Sequence, residues 1–486
     1  MKRLAVAMSG TVLSVAPCAA VEPSAPPDGL TASALFGAHA VLQSGMPVPV
    51  WGRSAPGRRV TVSFAGQTAT AECAADGQWK AVLPALAVST EPRRMTLRDG
   101  INELVFEDVL VGEVWLVCGR SNIGFNLEGM LRFSGEKVPA EPEPQLRLLK
   151  VSTKDPSERP LDDFETRGWA VSSPATAPGF SAVGWVFGSE LQKARGVPVG
   201  IVMSSWGGSR ATMWIERSFF EAGKKGHVAP NRDARAFEEQ SRQYHQATDG
   251  QAVAPGVHGP GACFNSHIHP LIPMAMRGVV VFFDGSPAED IRLLAENWRS
   301  MWGLGKFPFI YVQVHRQGGP VETDPNPRHD GARADYVPLL RQIPNSAMVV
   351  ALDTGVQGER NIHPPNKRPV GERAARAARA LAYGEKIVSS GPIFTSLAID
   401  GNRAVVSFDA VGGGLVAKGG PLAGFAVTGD GTTWVWGDAA IDGETVVVTA
   451  PGLARITGVR YAFAPSNPPG NLYNKDGLPA SPFSAP

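Results

Sequence analysis

The feature that most constrains the fold is a series of short, almost uninterrupted apolar runs in the middle of the chain: Val109 to Val117, Val199 to Ser204, Gly278 to Phe283, Phe309 to Val314 and Met348 to Leu352. A strand with one face in water alternates polar and apolar residues. A run that is apolar at nearly every position has both faces covered, as parallel strands flanked by helices do. Helix-like segments lie between or after these runs: Val183 to Ala194, closed by Gly196-Val197-Pro198, the amphipathic Ile291 to Trp302, and the Ala- and Arg-rich Val370 to Tyr383. Strands alternating with helices predict an α/β domain built on a doubly wound sheet. Segment 216–262, with charged and Gly-rich stretches, reads as an excursion from that sheet.

The flanks are patterned differently. From about Leu35 to Asp108 the residues alternate at period two, as in Arg59 to Phe64 and Thr68 to Glu72, with an Asp76-Gly77 turn before Trp79 to Leu83. Pro47 and Pro49 place the strand around Val50 at a sheet edge. From Gly391 onward short strands return between Gly and Asp turns: Ala404 to Phe408, Gly424 to Thr428, Thr433 to Trp436 and Thr445 to Thr449. Both flanks are predicted to be β-sandwich-like modules. The expected division is a signal peptide over 1–20, a linker over 21–30, an N-terminal β-module over 31–108, the α/β domain over 109–390 and a C-terminal β-module over 391–486.

The expected leader has a positive start at Lys2 and Arg3, an apolar stretch from Leu4 to Val15 and small residues at Cys18-Ala19-Ala20. It predicts a secreted or periplasmic protein. Pro17 argues against lipidation at Cys18, and the plainer alternative is a frayed helix of the mature domain. Export leaves Cys73, Cys118 and Cys263, which allow at most one disulfide and match no metal-site spacing. Apolar residues are 43% and charged residues 19% of the 486, a globular composition. The 46 Lys and Arg nearly balance the 45 Asp and Glu, so no basic excess points to nucleic acid. No apolar run of spanning length follows the N-terminus.

In an open α/β sheet ligands bind beyond the C-terminal ends of the strands. Three polar loops stand at such ends. In Gly119-Arg120-Ser121-Asn122 a serine on a tight turn can expose its hydroxyl as a nucleophile, with its own N–H near a developing oxyanion. In Trp206-Gly207-Gly208-Ser209 the glycines let backbone N–H groups approach a substrate oxygen. In Asn361-Ile362-His363-Pro364-Pro365-Asn366-Lys367 a neutral His363 can take a proton from Ser121 and return it to a leaving group. Each loop alone also reads as an ordinary turn. His267-Ile268-His269 sets two imidazoles on one face if the segment is extended, but a zinc site there lacks an identifiable third ligand.

Taken together the blocks resemble the bacterial sialate O-acetylesterases. The matching stretches are Leu35 to Gln43 with Pro47 to Gly52, Asp108 to Leu116, Ser204 to Gly208, Ile362 to Lys367 and Asn471 to Ala480, in the family's order. The resemblance implies an SGNH-hydrolase-like domain flanked by β-modules, no metal or organic cofactor, and removal of O-acetyl groups from sialic acids or related acetylated sugars. Ser121 and His363 are the expected catalytic residues, and Gly207, Gly208, Asn122, Arg120 and Trp206 the expected oxyanion or substrate residues.

The departures fall in the same blocks. The family's Gly-Gln-Ser-Asn-Met has Arg120 and Ile123 here, and its Trp-Tyr-Gln-Gly-Glu-Ser-Asn is Phe282-Phe283-Asp284-Gly285-Ser286-Pro287-Ala288. Ala288 replaces an oxyanion-supporting Asn, Asp284 adds an acid, and the family's Asp two residues before the histidine is Asn361. In a serine-protease triad the Asp-to-Asn change costs about 10⁴ in turnover. Asp353 is an upstream acid that offers to orient His363, at a spacing that is not the family's. Two readings therefore stand: a carbohydrate esterase, or a catalytically impaired homologue that binds glycans, with Arg120 on a sugar carboxylate and Trp206 on a ring face.

Overall fold

The structure is a computed structural model that describes residues 29–152, 155–224, 259–313, 323–326, 333–355, 361–463 and 469–485. The expected signal peptide, all but the last two residues of the linker, and residues 225–258 of the excursion lie outside the described residues.

Seven strands form the central sheet: β1 (Glu103–Gly119), β2 (Glu143–Lys150), β3 (Trp169–Ser172), β4 (Val199–Ser205), β5 (Gly278–Phe282), β6 (Phe309–Val312) and β7 (Ser346–Val349). Their spatial order is β3-β2-β4-β1-β5-β6-β7. All neighbours run parallel except β3, which closes one edge antiparallel to β2. From β1 the chain passes to β2 and the edge strand β3, returns to insert β4 between β2 and β1, then crosses to β5 and builds outward on the other side. The reversal falls at the C-terminal end of β1, where an open sheet leaves a crevice.

Three long helices cover the faces: α1 (Ala182–Arg195), α2 (Ala288–Trp302) and α3 (Arg368–Tyr383). In β1, Trp115 and Val117 pack with Val183, Val186 and Phe187 of α1 and Val370 and Ala374 of α3. Leu116 and Cys118 point the other way, into the core that holds Ile291, Leu294 and Trp298 of α2. Both faces of the strand are thus buried, which is why its sequence is apolar at successive positions. Small residues set the spacing of α1 and α3: a Cβ on Gly371 would lie 2.6 Å from Val186, and Ala374, Ala375, Ala377 and Ala378 continue that contact face.

The expected boundary at residue 108 lies inside β1, which continues unbroken from Glu103. Residues 103–108 alternate in burial and residues 109–119 are buried throughout. The sequence signal at Val109 marks a change of environment rather than the start of a strand: Val109 and Val111 still pair with Ser89–Arg98, Leu110 to Gly112 gain Val41–Gln43, and β4 and β5 flank the strand from Glu113 and Trp115 onward. The last run also shifts: β7 stops at Val349, where β6 ceases to provide partners, and Val350 to Leu352 continue as buried loop. The strand Val48–Arg53 has neighbours on both sides, but Thr31–Ala32 reaches only Gly52 and Arg53, so Pro49 still borders an unpaired edge.

C-terminal to the sheet, two four-stranded antiparallel sheets meet through aromatic side chains: Phe394 and Phe408 of one contact Phe483 of the other at 4.5 and 6.0 Å. The three cysteines among the described residues are all buried free thiols, so the disulfide allowed by the sequence is not formed. Cys73 donates to the Ser54 carbonyl at 3.0 Å.

Candidate active site

The site forms where β4, β1 and β5 end side by side, with Gly119 in register with both Ser205 and Phe282. Gly119 has φ 156°, and a Cβ there would lie 2.3 Å from the Phe282 carbonyl oxygen, so no other residue fits. The chain then turns sharply. Arg120 N–H donates to Phe282 O at 3.2 Å, and Arg120 O accepts from the N–H groups of Ile123 and Gly124 at 2.9 and 3.1 Å. Ser121 thereby begins a one-turn helix, Ser121–Gly124, at the tip of the strand, half-buried. Its N–H is among the orphan donors of a helix start.

The second loop is tied to the same strand end, since Trp206 N–H donates to Gly119 O at 3.1 Å. Gly207 has open space where a side chain would be, and Gly208 sits at φ 74°. The Trp206 ring lies 5.9 Å from the ring of His267.

The third loop comes from far along the chain. Asn122 Nδ2 donates to the Ile362 carbonyl at 3.1 Å, which joins the Ser121 turn to the residue before His363. Lys367 donates to Asn122 Oδ1. Its side chain is only 1% exposed, with the Phe125 and Phe282 rings 5.4 and 6.0 Å from Nζ. Burial pulls the Lys367 ammonium down to about 7, with Asp284 opposing the shift. His363 is held below its ordinary value by burial first, then by Lys367 and Arg120, while Asp284 pushes it up. A half-buried imidazole that is neutral near pH 7 is suited to accept a proton.

Several expected roles need revision. Asn122, expected to face an oxyanion or substrate, is fully buried, and both ends of its amide are engaged within the protein. It holds two loops together. Asn361 Oδ1 accepts the backbone N–H of His363 at 2.8 Å and so shapes the loop rather than the ring. Asp353 is not a partner for His363: it forms a two-pronged pair with Arg373 at 2.6 and 2.7 Å and accepts from the Tyr473 hydroxyl at 3.0 Å. His267 and His269 belong to consecutive helical turns, not an extended segment, so alternate residues do not share a face. Their Nδ1 atoms are engaged by Ser266 Oγ at 2.7 Å and Leu161 O at 3.0 Å. Among the described residues no group of three metal-ligating side chains forms.

Arg120, Asp284, His363 and Lys367 lie close enough to act on one another electrostatically, and Ser121 follows Arg120 in the turn at the strand end. Lys367 was visible in the sequence only as the end of a loop motif; the signal that marks it is a lysine directly ahead of a Pro-started, apolar-faced helix, a place that buries it. The strand end after β5 is tied to its neighbours through Ser286. Ser286 Oγ accepts from Ala211 N–H at 3.1 Å, and the Ser286 carbonyl accepts from Tyr336 Oη at 2.7 Å.

No family model matches the chain. It is 29% identical to the sialate O-acetylesterase of Mus musculus over 393 residues, 71% of this chain and 72% of that protein. It is 29% identical to the sialate O-acetylesterase of Homo sapiens over 386 residues, 71% of this chain and 69% of that protein. Among solved structures, a carbohydrate acetylesterase from Xanthomonas citri matches with a TM-score of 0.79 and 33% identity, covering 94% of this chain and 99% of that one.

Proposed function

Because the chain belongs to the family of carbohydrate acetylesterases that includes the sialate O-acetylesterases, we propose that it is a secreted or periplasmic esterase that removes O-acetyl groups from sialic acids or related acetylated sugars by a Ser-His mechanism. The observation that carries this reading is the Asn122–Ile362 hydrogen bond, which sets the Ser121 turn and the His363 loop against each other at the end of β1. In this reading Ser121 Oγ attacks the acetyl carbonyl as His363 takes its proton. The N–H groups of Ser121 and of Gly207 or Gly208 receive the charge that develops on the carbonyl oxygen. His363 passes the proton to the departing sugar hydroxyl, leaving an acetyl-enzyme. His363 then draws a proton from water, whose oxygen attacks the acetyl carbon, and returns that proton to Ser121 Oγ as acetate leaves. The same reading takes residues 109–390 as an SGNH-type doubly wound domain, with 31–108 and 391–486 as flanking β-modules.

Acetate release from an aryl acetate and from an O-acetylated sialic acid tests it. The expected result is release from both, reduced by at least about 10³-fold in Ser121→Ala. Turnover unchanged in Ser121→Ala, or none in the parent, overturns it.

The use of Asn361 on the backbone N–H of His363, in place of a carboxylate on that loop, favours a second reading in which catalysis is impaired and the cleft binds glycans. Heat on titrating sialosides into a parent that releases no acetate would support that reading.

A further inference from the structure

The two residues that flank Ser121 each reach a different loop. Asn122 donates to the carbonyl of Ile362, next to His363. The Arg120 guanidinium donates to the carbonyl of Asp284, in the loop that follows β5. The nucleophile turn therefore holds a histidine-bearing loop with one neighbour and an acid-bearing loop with the other.

The Asp284 carboxylate is in an unusual state. Its Oδ1 is shut off from solvent and has no hydrogen-bond partner among the described residues, although Arg120 beside it gives its proton to the Asp284 backbone instead. A buried carboxylate oxygen left without a donor is costly, and such groups occur where a catalytic or ligand role requires them. The charges around it are Arg120 from the β1 turn, Lys367 and His363 from the third loop, and Tyr336 from the segment before β7, whose phenol is pushed up by burial and then by Asp284. Asp284 acts on His363 with the sign a triad acid needs, favouring the imidazolium against Lys367 and Arg120.

We propose that Asp284 is the positioning acid of this site, supplying from the end of β5 the carboxylate that Asn361 no longer supplies from the histidine's own loop. This deepens the esterase reading and rests on it. During acyl transfer the proton moves from Ser121 to His363, and the Asp284 carboxylate stabilises the resulting imidazolium without being protonated itself. The relocation also accounts for the pairing of the two substitutions, an acid gained at 284 and an acid lost at 361.

The test compares kcat/KM against pH for the parent, Asp284→Asn, Asp284→Glu, Asn361→Asp, and Asp284→Asn with Asn361→Asp, using an aryl acetate. Expected for Asp284→Asn is a fall of about 10²- to 10³-fold, with the acid limb displaced to lower pH, because a negative charge that raises the imidazole has been removed. Asp284→Glu should recover part of the rate. Asn361→Asp should gain under about 10-fold alone but restore at least about 10-fold in the Asp284→Asn background, since the two acids substitute for each other. An unmoved acid limb in a cooperatively folded Asp284→Asn, or an equal gain from Asn361→Asp in both backgrounds, overturns the proposal. A parent without esterase activity would instead overturn the underlying reading; histidine NMR then decides Asp284 separately, a His363 resonance whose midpoint is unmoved in Asp284→Asn counting against it and a lowered midpoint for it.

Discussion

Two strands of one sheet are each followed by an aspartate, and the chain treats the two oppositely. Asp353, after β7, is satisfied: Arg373 clamps both its oxygens and Tyr473 donates to one of them, joining α3 to the C-terminal strands. Burial alone would raise its carboxyl, and Arg373 with Tyr473 holds it below the usual range. Asp284, after β5, has a guanidinium next to it and yet keeps a buried oxygen without a donor among the described residues. The difference teaches how a structural acid is told from a poised one. The structural acid has its hydrogen bonds completed by its own fold, whereas the poised one leaves a valence for a group whose charge changes during reaction.

The largest effect that separates the two is on stability. Asp353→Ala strands Arg373, whose side chain is 10% exposed, and should cost about 2 kcal/mol in denaturant unfolding, less than a fully buried pair because Asp353 itself is 23% exposed. Its folded fraction should keep the parent kcat. A lowered kcat with unchanged stability would erase the contrast drawn here.

A smaller effect is expected at Lys367. Lys367→Met removes the donor to Asn122 and should lower kcat/KM about 10-fold through a loosened Ser121 turn. It also removes a positive charge that depresses His363, so the acid limb should move to higher pH, opposite in sign to the change expected for Asp284→Asn. Displacement of both limbs in the same direction would show that loop disorder, not charge, is being measured.

The smallest effect concerns the parent itself. His363 must be neutral to accept a proton, so activity is lost as pH falls through its midpoint. Burial, Lys367 and Arg120 together outweigh Asp284 there, which puts that midpoint below the ordinary value of about 6.5. A midpoint above that value in the pH dependence of kcat/KM would mean that Asp284 sits closer to the ring than Lys367 and Arg120 do.

The legible parts of this fold were those with a local signature. Val199–Ser205 and Gly278–Phe282 could be read as strands because each is buried on both faces. Glu143–Lys150 was not legible, since it carries Glu, Gln, Arg and Lys at a position near the sheet edge, and its Arg147 is buried because Asp108 meets it at 2.7 and 3.0 Å and the Pro144 and His39 carbonyls accept further N–H groups. Ser121 and His363 could be found because a polar, Gly- or Pro-bearing loop after an apolar run is itself a sequence pattern. The part played by Asn122 could not be found, because a side chain at the head of a turn faces substrate or core according to what arrives beside it.

By itself, then, the sequence determined the doubly buried strands, the long helices between them and the polar loops that follow, since these follow from periodicities and turn residues a few positions apart. Only the tertiary structure decided which acid serves which cation. That choice depends on β1 lying between β4 and β5, an order that brings Arg120 to Asp284, 164 residues away, and Asn122 to Ile362, 240 residues away. The physical reason is range: the apolar pattern acts between neighbours in the chain, whereas a charge or a hydrogen bond acts between neighbours in space.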